Sequence, residues 1–444
     1  MRLFVRLFWC LVWLAGAAAI VLSVLNNLLA GIDVGGYSLL LEIGRICGLV
    51  GTYFILWQLV LISRLPILES GFGFNLLTRI HRWNGFLGLT LITAHVICIT
   101  IGSAGLNNTG VAAEFIDLLA SKENVLVAAV AFVMFLTIVA LSIAIVRRRL
   151  RFETWYAVHI TVYLAILLAQ SHQFSVGDDI INDSVLSYYW VALYVCAFGA
   201  IIFFRIGQPL YRYWRYRFKI ARVHAEAADT VSIYVSGKNL KRFSYTAGQY
   251  ALWRFLTPDL WLQEHPFSIS IAPGGNELRL TVKAVGDFTS TLQRIKPGAP
   301  VIIDGPHGDF TLAHTSNRQL LFIAGGIGIT PLRSMLESLP ENAPSPVLLY
   351  AARSQANLVL RGELEQLLSR VGGRMYCVLS DEAVAGFYHG VIDKSLITEL
   401  VPDVMSRDVI LCGPPEMMLK VSGTLKLLGV GKASIHTERF AFLN

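Results

Sequence analysis

Four histidines lie inside long apolar segments: His81 and His95 in HRWNGFLGLTLITAH, and His159 and His172 in HITVYLAILLAQSH. His81 and His95 are fourteen residues apart. At about 3.6 residues per turn that is nearly four turns, so both rings face the same way, about 21 Å apart along the helix axis. Gly85, Gly88 and Ile92 share that face, and two absent side chains predict room for a flat group against the backbone. His159 and His172 are thirteen apart, which on an ideal helix turns the second ring more than about 100° from the first. That helix therefore either tightens locally or ends near His172. An imidazole in hydrocarbon is costly and needs a partner, so two matched pairs predict two bis-histidine b-type haems stacked across a membrane. The plainer alternative is hydrogen bonding between helices by one or two of them.

The chain has 444 residues, 55% hydrophobic and 15% charged, with a mean hydropathy of +0.57. Its apolar excess is concentrated in the first half, which predicts a membrane domain with a soluble tail. The net charge of +7 does not imply nucleic acid, because the basic residues sit largely in short loops beside apolar segments. The six cysteines show neither CxxC nor CxxCH spacing, which leaves iron-sulfur clusters, zinc sites and covalent c-type haem unsupported.

The first apolar run after Arg6 approaches twenty residues, longer than a signal peptide core, and predicts a retained first span. Further spans are expected near 37 to 62, 77 to 103, 123 to 146, 154 to 173 and 185 to 206. Connections carrying Arg64, Arg79 and Arg82, the RRRLR run at 147–151 and the segment after the sixth span are basic, whereas the alternate loops are nearly free of Lys and Arg. Both termini are therefore expected in the cytoplasm. The third and fifth spans then run in one direction, pairing His81 with His159 at the inner level and His95 with His172 at the outer. Arg45, a few turns into the second span, needs a negative partner. An electron acceptor arriving from outside, a propionate of the outer haem, or an ion pair with Glu42 on the same face would each serve. Trp155 and Tyr156 read as interfacial belt residues. Asn107 and Asn182 open triplets of the N-glycosylation type.

After Lys219 short alternating strands with turn residues predict a small antiparallel barrel. Within it HPFSIS (His265, Pro266, Phe267, Ser268) offers an aromatic face and a hydroxyl for a flavin, with Ser268 aimed at the flavin N5. VGDFTSTL offers Gly286, Thr289 and Ser290 as donors to a diphosphate. From Arg318 the pattern becomes strand, glycine turn, helix, which predicts a parallel α/β dinucleotide domain. In AGGIGITP, Gly325, Gly326 and Gly328 let backbone approach a pyrophosphate, and Thr330 and Pro331 open a helix. Arg353 and Ser354 follow the next strand, where they would hold a 2'-phosphate and favour NADPH over NADH. Cys412, Gly413 and Pro414 end the last strand of the pattern; Cys412 is either a sulfur beside the nicotinamide or a buried structural cysteine. Phe440 and Phe442 lie near the end of the sequence, able to cover a flat cofactor.

In order, these residues resemble the ferric reductase and NADPH oxidase superfamily of transmembrane cytochromes b over nearly the whole chain. The resemblance rests on the two histidine spacings, RRRLRFETWYAVH, HPFSIS, VGDFT, DGPHG, AGGIGITP and CGPPE. The soluble half alone is similar to the ferredoxin-NADP reductase family. The resemblance implies His81, His95, His159 and His172 as haem ligands, and His265 to Ser268, Gly286 and Thr289 as FAD contacts. It also implies Gly325 to Pro331, Arg353 and Cys412 to Pro414 as NADPH contacts, with Phe440 or Phe442 over the flavin. Arg45 matches an arginine near the outer haem of oxygen-reducing members. Ile99 stands where some of those members carry another histidine.

The expected architecture is a six-helix bundle over 1–212, an antiparallel FAD barrel over 213–316 and a parallel α/β NADPH domain over 317–444. The expected activity moves electrons from cytosolic NADPH through FAD and two haems to O2 outside, in a plasma or inner membrane, with Arg45, Ser268 and Cys412 at the reacting ends. Reduction of a ferric chelate is the alternative, and a non-enzymatic membrane anchor is the rival from another class. Partners are the external acceptor and the lipid bilayer, with no nucleic acid expected and protein partners unknown; a partner protein or quinone is a third candidate acceptor.

Overall fold

The computed structural model describes residues 2–143, 152–316 and 319–438. Phe440, Phe442 and the RRRLR run lie outside the described residues. Two compact units divide at Ile206 and Gly207, slightly ahead of the expected boundary at 212.

The first unit is helical. Its long elements are α1 (Arg2–Ser23), α3 (Gly36–Ile62), α5 (Phe74–Leu106), α7 (Val125–Ser142), the pair α8 (Phe152–Ile160) and α9 (Val162–Ser175), and α11 (Ser184–Ile201). Shorter helices fill the connections: α2 (Leu25–Val34), α4 (Pro66–Phe72), α6 (Val111–Ser121) and α10 (Asp178–Asn182). Among the described residues six stretches are long and apolar enough to span a bilayer, so the chain is a multi-pass membrane protein. The last of them runs on from α11 through a π-helical turn, Ile202–Gly207, into α12 (Gln208–Tyr216).

Small residues decide how α3 and α5 meet. A Cβ on Gly48 would stand 2.7 Å from His95 Nδ1, one on Gly51 3.0 Å from Ile92, and one on Gly88 3.0 Å from Ile55. The Gly85 face is likewise filled by the Gln58 amide. The room expected beside Gly85 and Gly88 for a flat group is thus taken by α3, because missing side chains let two backbones close up as readily as they admit a ligand.

The thirteen-residue histidine spacing is met by a break in the helix and by the helix ending close after His172. Helical geometry breaks at Thr161, whose N–H and Oγ1 both donate to the Val158 carbonyl, at 3.1 and 2.7 Å. This i to i−3 closure winds the chain more tightly between the two rings, and His172 lies in the last turn of α9.

The second unit opens with β1 (Lys219–Ala227), β2 (Thr230–Ser236), β3 (Tyr250–Phe255), β4 (His265–Ser268), β5 (Glu277–Lys283), α13 (Asp287–Leu292) and β6 (Val301–His307). They pair as two three-stranded antiparallel sheets, β1-β2-β5 and β4-β3-β6. The expected barrel is therefore two sheets around one core, touching at both edges: Ser270 N–H donates to Arg279 O at 2.7 Å, and Val301 N–H to Phe218 O at 3.0 Å.

A six-stranded parallel sheet follows, in the order β10-β9-β8-β7-β11-β12. Its strands are β7 (Leu320–Gly325), β8 (Val347–Ala352), β9 (Arg374–Leu379), β10 (Tyr388–His389), β11 (Asp408–Cys412) and β12 (Ile435–Glu438). Successive residues of β7 alternate faces: Phe322 and Ala324 enter the core with α14 (Ile329–Ser338) and α15 (Arg361–Arg370). Leu321 and Ile323 enter the core with α16 (Lys394–Leu400) and α17 (Pro415–Leu427). Both faces are covered, which is why these strands are continuous apolar runs.

Candidate functional site

In the membrane unit the helices bring the four histidines into two facing pairs. The rings of His81 and His159 are 6.2 Å apart between centroids, and those of His95 and His172 are 6.4 Å apart. His95 Nδ1 lies 2.9 Å from the Gly44 carbonyl. A carbonyl only accepts, so Nδ1 carries the proton and Nε2 keeps its lone pair for another partner. His159 Nδ1 is 3.3 Å from Ser142 Oγ, which also accepts from Trp155 Nε1 at 3.2 Å. The Trp155 ring stacks on His159 at 4.9 Å. Trp155 is therefore a support for His159 and not only a belt residue. Nδ1 of His81 and of His172 is buried without a hydrogen bond of standard geometry.

Two features lie on the helices around the His95–His172 pair. Gln173, next to His172, is buried and accepts at Oε1 from Trp190 Nε1 (2.7 Å) and Tyr194 OH (3.1 Å), so α9 is tied to α11. Arg45 meets two carboxylates, Glu42 at 3.2 Å and Asp178 at 3.2 Å. The Glu42 alternative thus describes Arg45, with a second carboxylate partner 133 residues away. Asn107 donates to Glu114 at 2.9 Å, so the first glycosylation-type triplet has its amide engaged. Ser103 and Thr109 also donate to Glu114 (2.5 and 2.7 Å), and these bonds hold its carboxyl below the usual range.

In the soluble unit the two flavin motifs meet. The His265 ring lies 3.9 Å from Phe288, and Phe267 stacks on Phe288 at 6.2 Å, so HPFSIS and VGDFT share one aromatic cluster. Pro266 pairs with Leu252 in the β3–β4 ladder. Ser268 is buried at the end of β4 opposite Tyr250, which stands opposite His307 on β6. His307 Nε2 is 3.2 Å from Asp304 Oδ1. The Thr289 hydroxyl accepts from Val285 N and Gly286 N and donates to Gly286 O. It closes its own turn, so neither it nor the Gly286 N–H is a spare donor to a diphosphate. Ser290 is exposed on the same turn.

The nucleotide motifs also meet. β7 and β11 are neighbours at the point where strand order reverses, the crevice where such sheets bind ligands. A Cβ on Gly328 would lie 2.5 Å from Cys412 O and 2.8 Å from Gly413 Cα, and one on Gly413 3.0 Å from Gly325 N. Gly326 has φ +51 and open space before it. These glycines let the two turns close on each other as well as admit a ligand. Thr330 and Pro331 are buried at the start of α14, with Thr330 Oγ1 donating to Ile327 O at 3.1 Å. Arg353 is exposed just past β8, and Ser354 donates to Asn357 at 2.9 Å. Pro414 lies against Gly325. Cys412 is fully buried in the sheet core, where burial and the nearby Glu438 push its thiol far up. Its burial agrees with the structural reading, and a thiol raised in this way stays protonated at neutral pH.

Residues 47–170 match the ferric reductase like transmembrane component, 215–310 an FAD-binding domain and 322–422 the oxidoreductase NAD-binding domain. The flavohemoprotein of Bacillus subtilis (strain 168) is 30% identical over 234 residues, which are 50% of this chain and 58% of that protein. The stachydrine N-demethylase reductase subunit Stc4 of Rhizobium meliloti (strain 1021) is 28% identical over 235 residues, 49% of this chain and 67% of that one. Among solved structures, the FAD/NAD binding domain of nitric oxide dioxygenase from Vibrio cholerae is 28% identical with a TM-score of 0.46, over 50% of this chain and 96% of that domain. The chain spans little more than half of the flavohemoproteins it matches. It is an oxidoreductase of ferric reductase/NADPH oxidase-like architecture, a transmembrane component followed by a ferredoxin-NADP reductase-like tail with FAD- and NAD-binding domains.

Proposed function

We propose that the chain is a transmembrane NADPH oxidase, which takes electrons from NADPH in the cytoplasm and delivers them singly to O2 outside. One NADPH then yields NADP+, a proton and two superoxide anions. The supporting observation is the spacing of the histidine pairs. With metal–imidazole bonds of about 2.0–2.1 Å and ring nitrogens about 1.1 Å from their ring centres, two imidazoles facing each other across one metal would hold their centroids about 6.3 Å apart. The two pairs stand at 6.2 and 6.4 Å, so the donor set fits two bis-histidine haems: His81 with His159, and His95 with His172. Bound FAD would accept two electrons together and release them one at a time, and haem iron would carry single electrons.

The chain's own residues do the rest. Gly44 O fixes the His95 tautomer, and Ser142 with Trp155 orients His159, the kind of outer-shell support that sets ligand basicity. His81 and His95 lie on one continuous helix, so their levels divide a roughly 30 Å apolar barrier. Ser268 and the Phe267–Phe288 cluster would line the flavin, and the β7–β11 crevice would receive NADPH. Arg353, exposed beyond β8, would meet the 2'-phosphate; NADH would forgo that contact.

O2 is favoured over an anionic ferric chelate by the charge around Arg45, where Glu42, Asp178 and Asp179 outnumber one guanidinium. A net negative rim repels an anion and leaves neutral O2 unaffected. The test is oxygen consumption with superoxide formation in iron-free medium, compared with ferric-chelate turnover under anaerobiosis. Superoxide without iron supports the oxidase; turnover confined to the chelate makes the protein a ferric reductase.

A further inference from the structure

α14 is the helix that the glycine turn opens, and one face of it is bonded to the flavin half at three points. Arg333 Nη1 donates to Ser270 O at 3.0 Å. Ser334 Oγ accepts from Gly248 N at 2.9 Å. Glu337 Oε2 accepts from Ala272 N at 2.5 Å. Ser270 is two residues beyond Ser268, on the HPFSIS segment itself.

A second layer backs this face. Arg279 on β5 is 1% exposed and reaches both Glu363 oxygens on α15, at 3.1 and 2.8 Å. It also bonds Ser232 at 3.1 Å and Glu226 at 3.3 Å. Arg333 Nε meets the same Glu363 at 3.0 Å and Nη1 meets Glu337 at 2.5 Å. Glu363 therefore holds one arginine from each lobe. Burial pushes its carboxyl up, but Arg279 and Arg333 outweigh that and keep it below the usual range.

Buried ion networks of this kind add little net stability compared with apolar packing, since the desolvation of each charge offsets the attraction. Their bidentate bonds do restrict direction. A helix is stiff, so fixing the 333–337 face of α14 against the HPFSIS segment also fixes the glycine turn at its other end.

We propose that Glu363, Arg279 and Arg333 form a lock that sets the angle between the flavin and nucleotide lobes, making Arg333 a positioning residue for hydride transfer. The proposal rests on the reading that NADPH reduces FAD in this chain. A displacement of about 1 Å at a reacting centre can cost up to about 100-fold, so a loosened lock lowers the rate without weakening nucleotide binding.

The test compares full-length, FAD-loaded wild type with Glu363→Gln and Arg333→Lys. Lysine keeps the charge but cannot span Ser270 O and two carboxylates at once. Flavin bleaching is followed in single turnover at saturating NADPH, with and without deuterium at the transferred position. Amide hydrogen exchange is followed at Gly248 and Ala272. The expected result is a rate per bound flavin reduced about 10-fold with the isotope effect retained. The NADPH affinity stays within about twofold, and the Gly248 and Ala272 amides exchange faster. A wild-type rate per bound flavin overturns the lock, whatever happens to exchange or thermal stability. Should either variant lose FAD, Glu337→Gln decides by the rate per bound flavin, because that side chain is partly exposed, its pair with Arg333 is weakened, and its amide oxygen still accepts from Ala272. If wild type itself is not reduced by NADPH or NADH, the functional reading fails, and this inference with it.

Discussion

The two halves present their functional groups by opposite means. In the membrane unit each imidazole is placed by helix packing, with one or no hydrogen bond of standard geometry at Nδ1. In the soluble unit the corresponding positions are turns and ladders whose polar groups are largely engaged with one another, as at Thr289, Ser334 and Arg333. Where no water competes, one apolar helix face and a few small residues orient a ring; where water competes, orientation needs cross-bonding. The histidines are thus exposed to change in their own identity, and the flavin and nucleotide lobes to change in their scaffold.

The largest effect expected from this contrast is at the rings. Replacing any of His81, His95, His159 or His172 by Leu removes one haem and slows transmembrane electron flow more than about 100-fold, beyond the span typical of outer-shell partners. NADPH-driven reduction of a soluble dye by the flavin half stays intact; its loss would show that the halves do not fail separately. Next comes a scaffold change. Gly328→Ala forces a Cβ onto Cys412 O and Gly413 Cα, both backbone, and costs about 1–3 kcal/mol. It is measured as flavin release at lower temperature, with the haem spectra unaltered. Gln173→Leu strands the Trp190 and Tyr194 donors. It lowers membrane-unit stability by about 0.6–1.7 kcal/mol and perturbs only the outer haem spectrum; an equal change in both haems would deny it a local role.

A smaller effect is set by pH. The folded pKa of Glu363 is depressed, so its stabilisation is fully present above the unfolded value of about 4.3. It is lost as pH falls through the lower folded value. Glu363→Gln should flatten this acid limb in thermal melts of the soluble half, and an unchanged limb would exclude it as a contributor. The smallest effect is at Arg45. Its pairs are partly exposed, so Arg45→Gln shifts stability by less than about 1 kcal/mol. It leaves the outer rim more negative and raises the rate with cationic acceptors relative to anionic ones.

Periodicity made the membrane half legible: all six spans and the pairing of His81 with His159 and of His95 with His172 follow from apolar runs and residue spacing. Glycine turns after apolar strands made the nucleotide sheet legible for the same local reason. What stayed hidden is long-range. Gly85 and Gly88 announce a close approach without saying whether a ligand or a helix makes it. Arg45 does not announce Asp178, nor Arg279 its bond to Glu363 84 residues on, because a charge carries no mark of its partner. Thr289 and Ser354 look like spare donors until their own turns claim them.

The most direct test of the whole account is an anaerobic NADPH titration of the purified, cofactor-replete chain, counting electrons into the flavin and b-type absorption bands. Two bis-histidine haems in series with one FAD predict four electrons per chain, two in the flavin and one in each haem. Uptake that stops at the flavin, or a haem band worth fewer than two irons per chain, would contradict it.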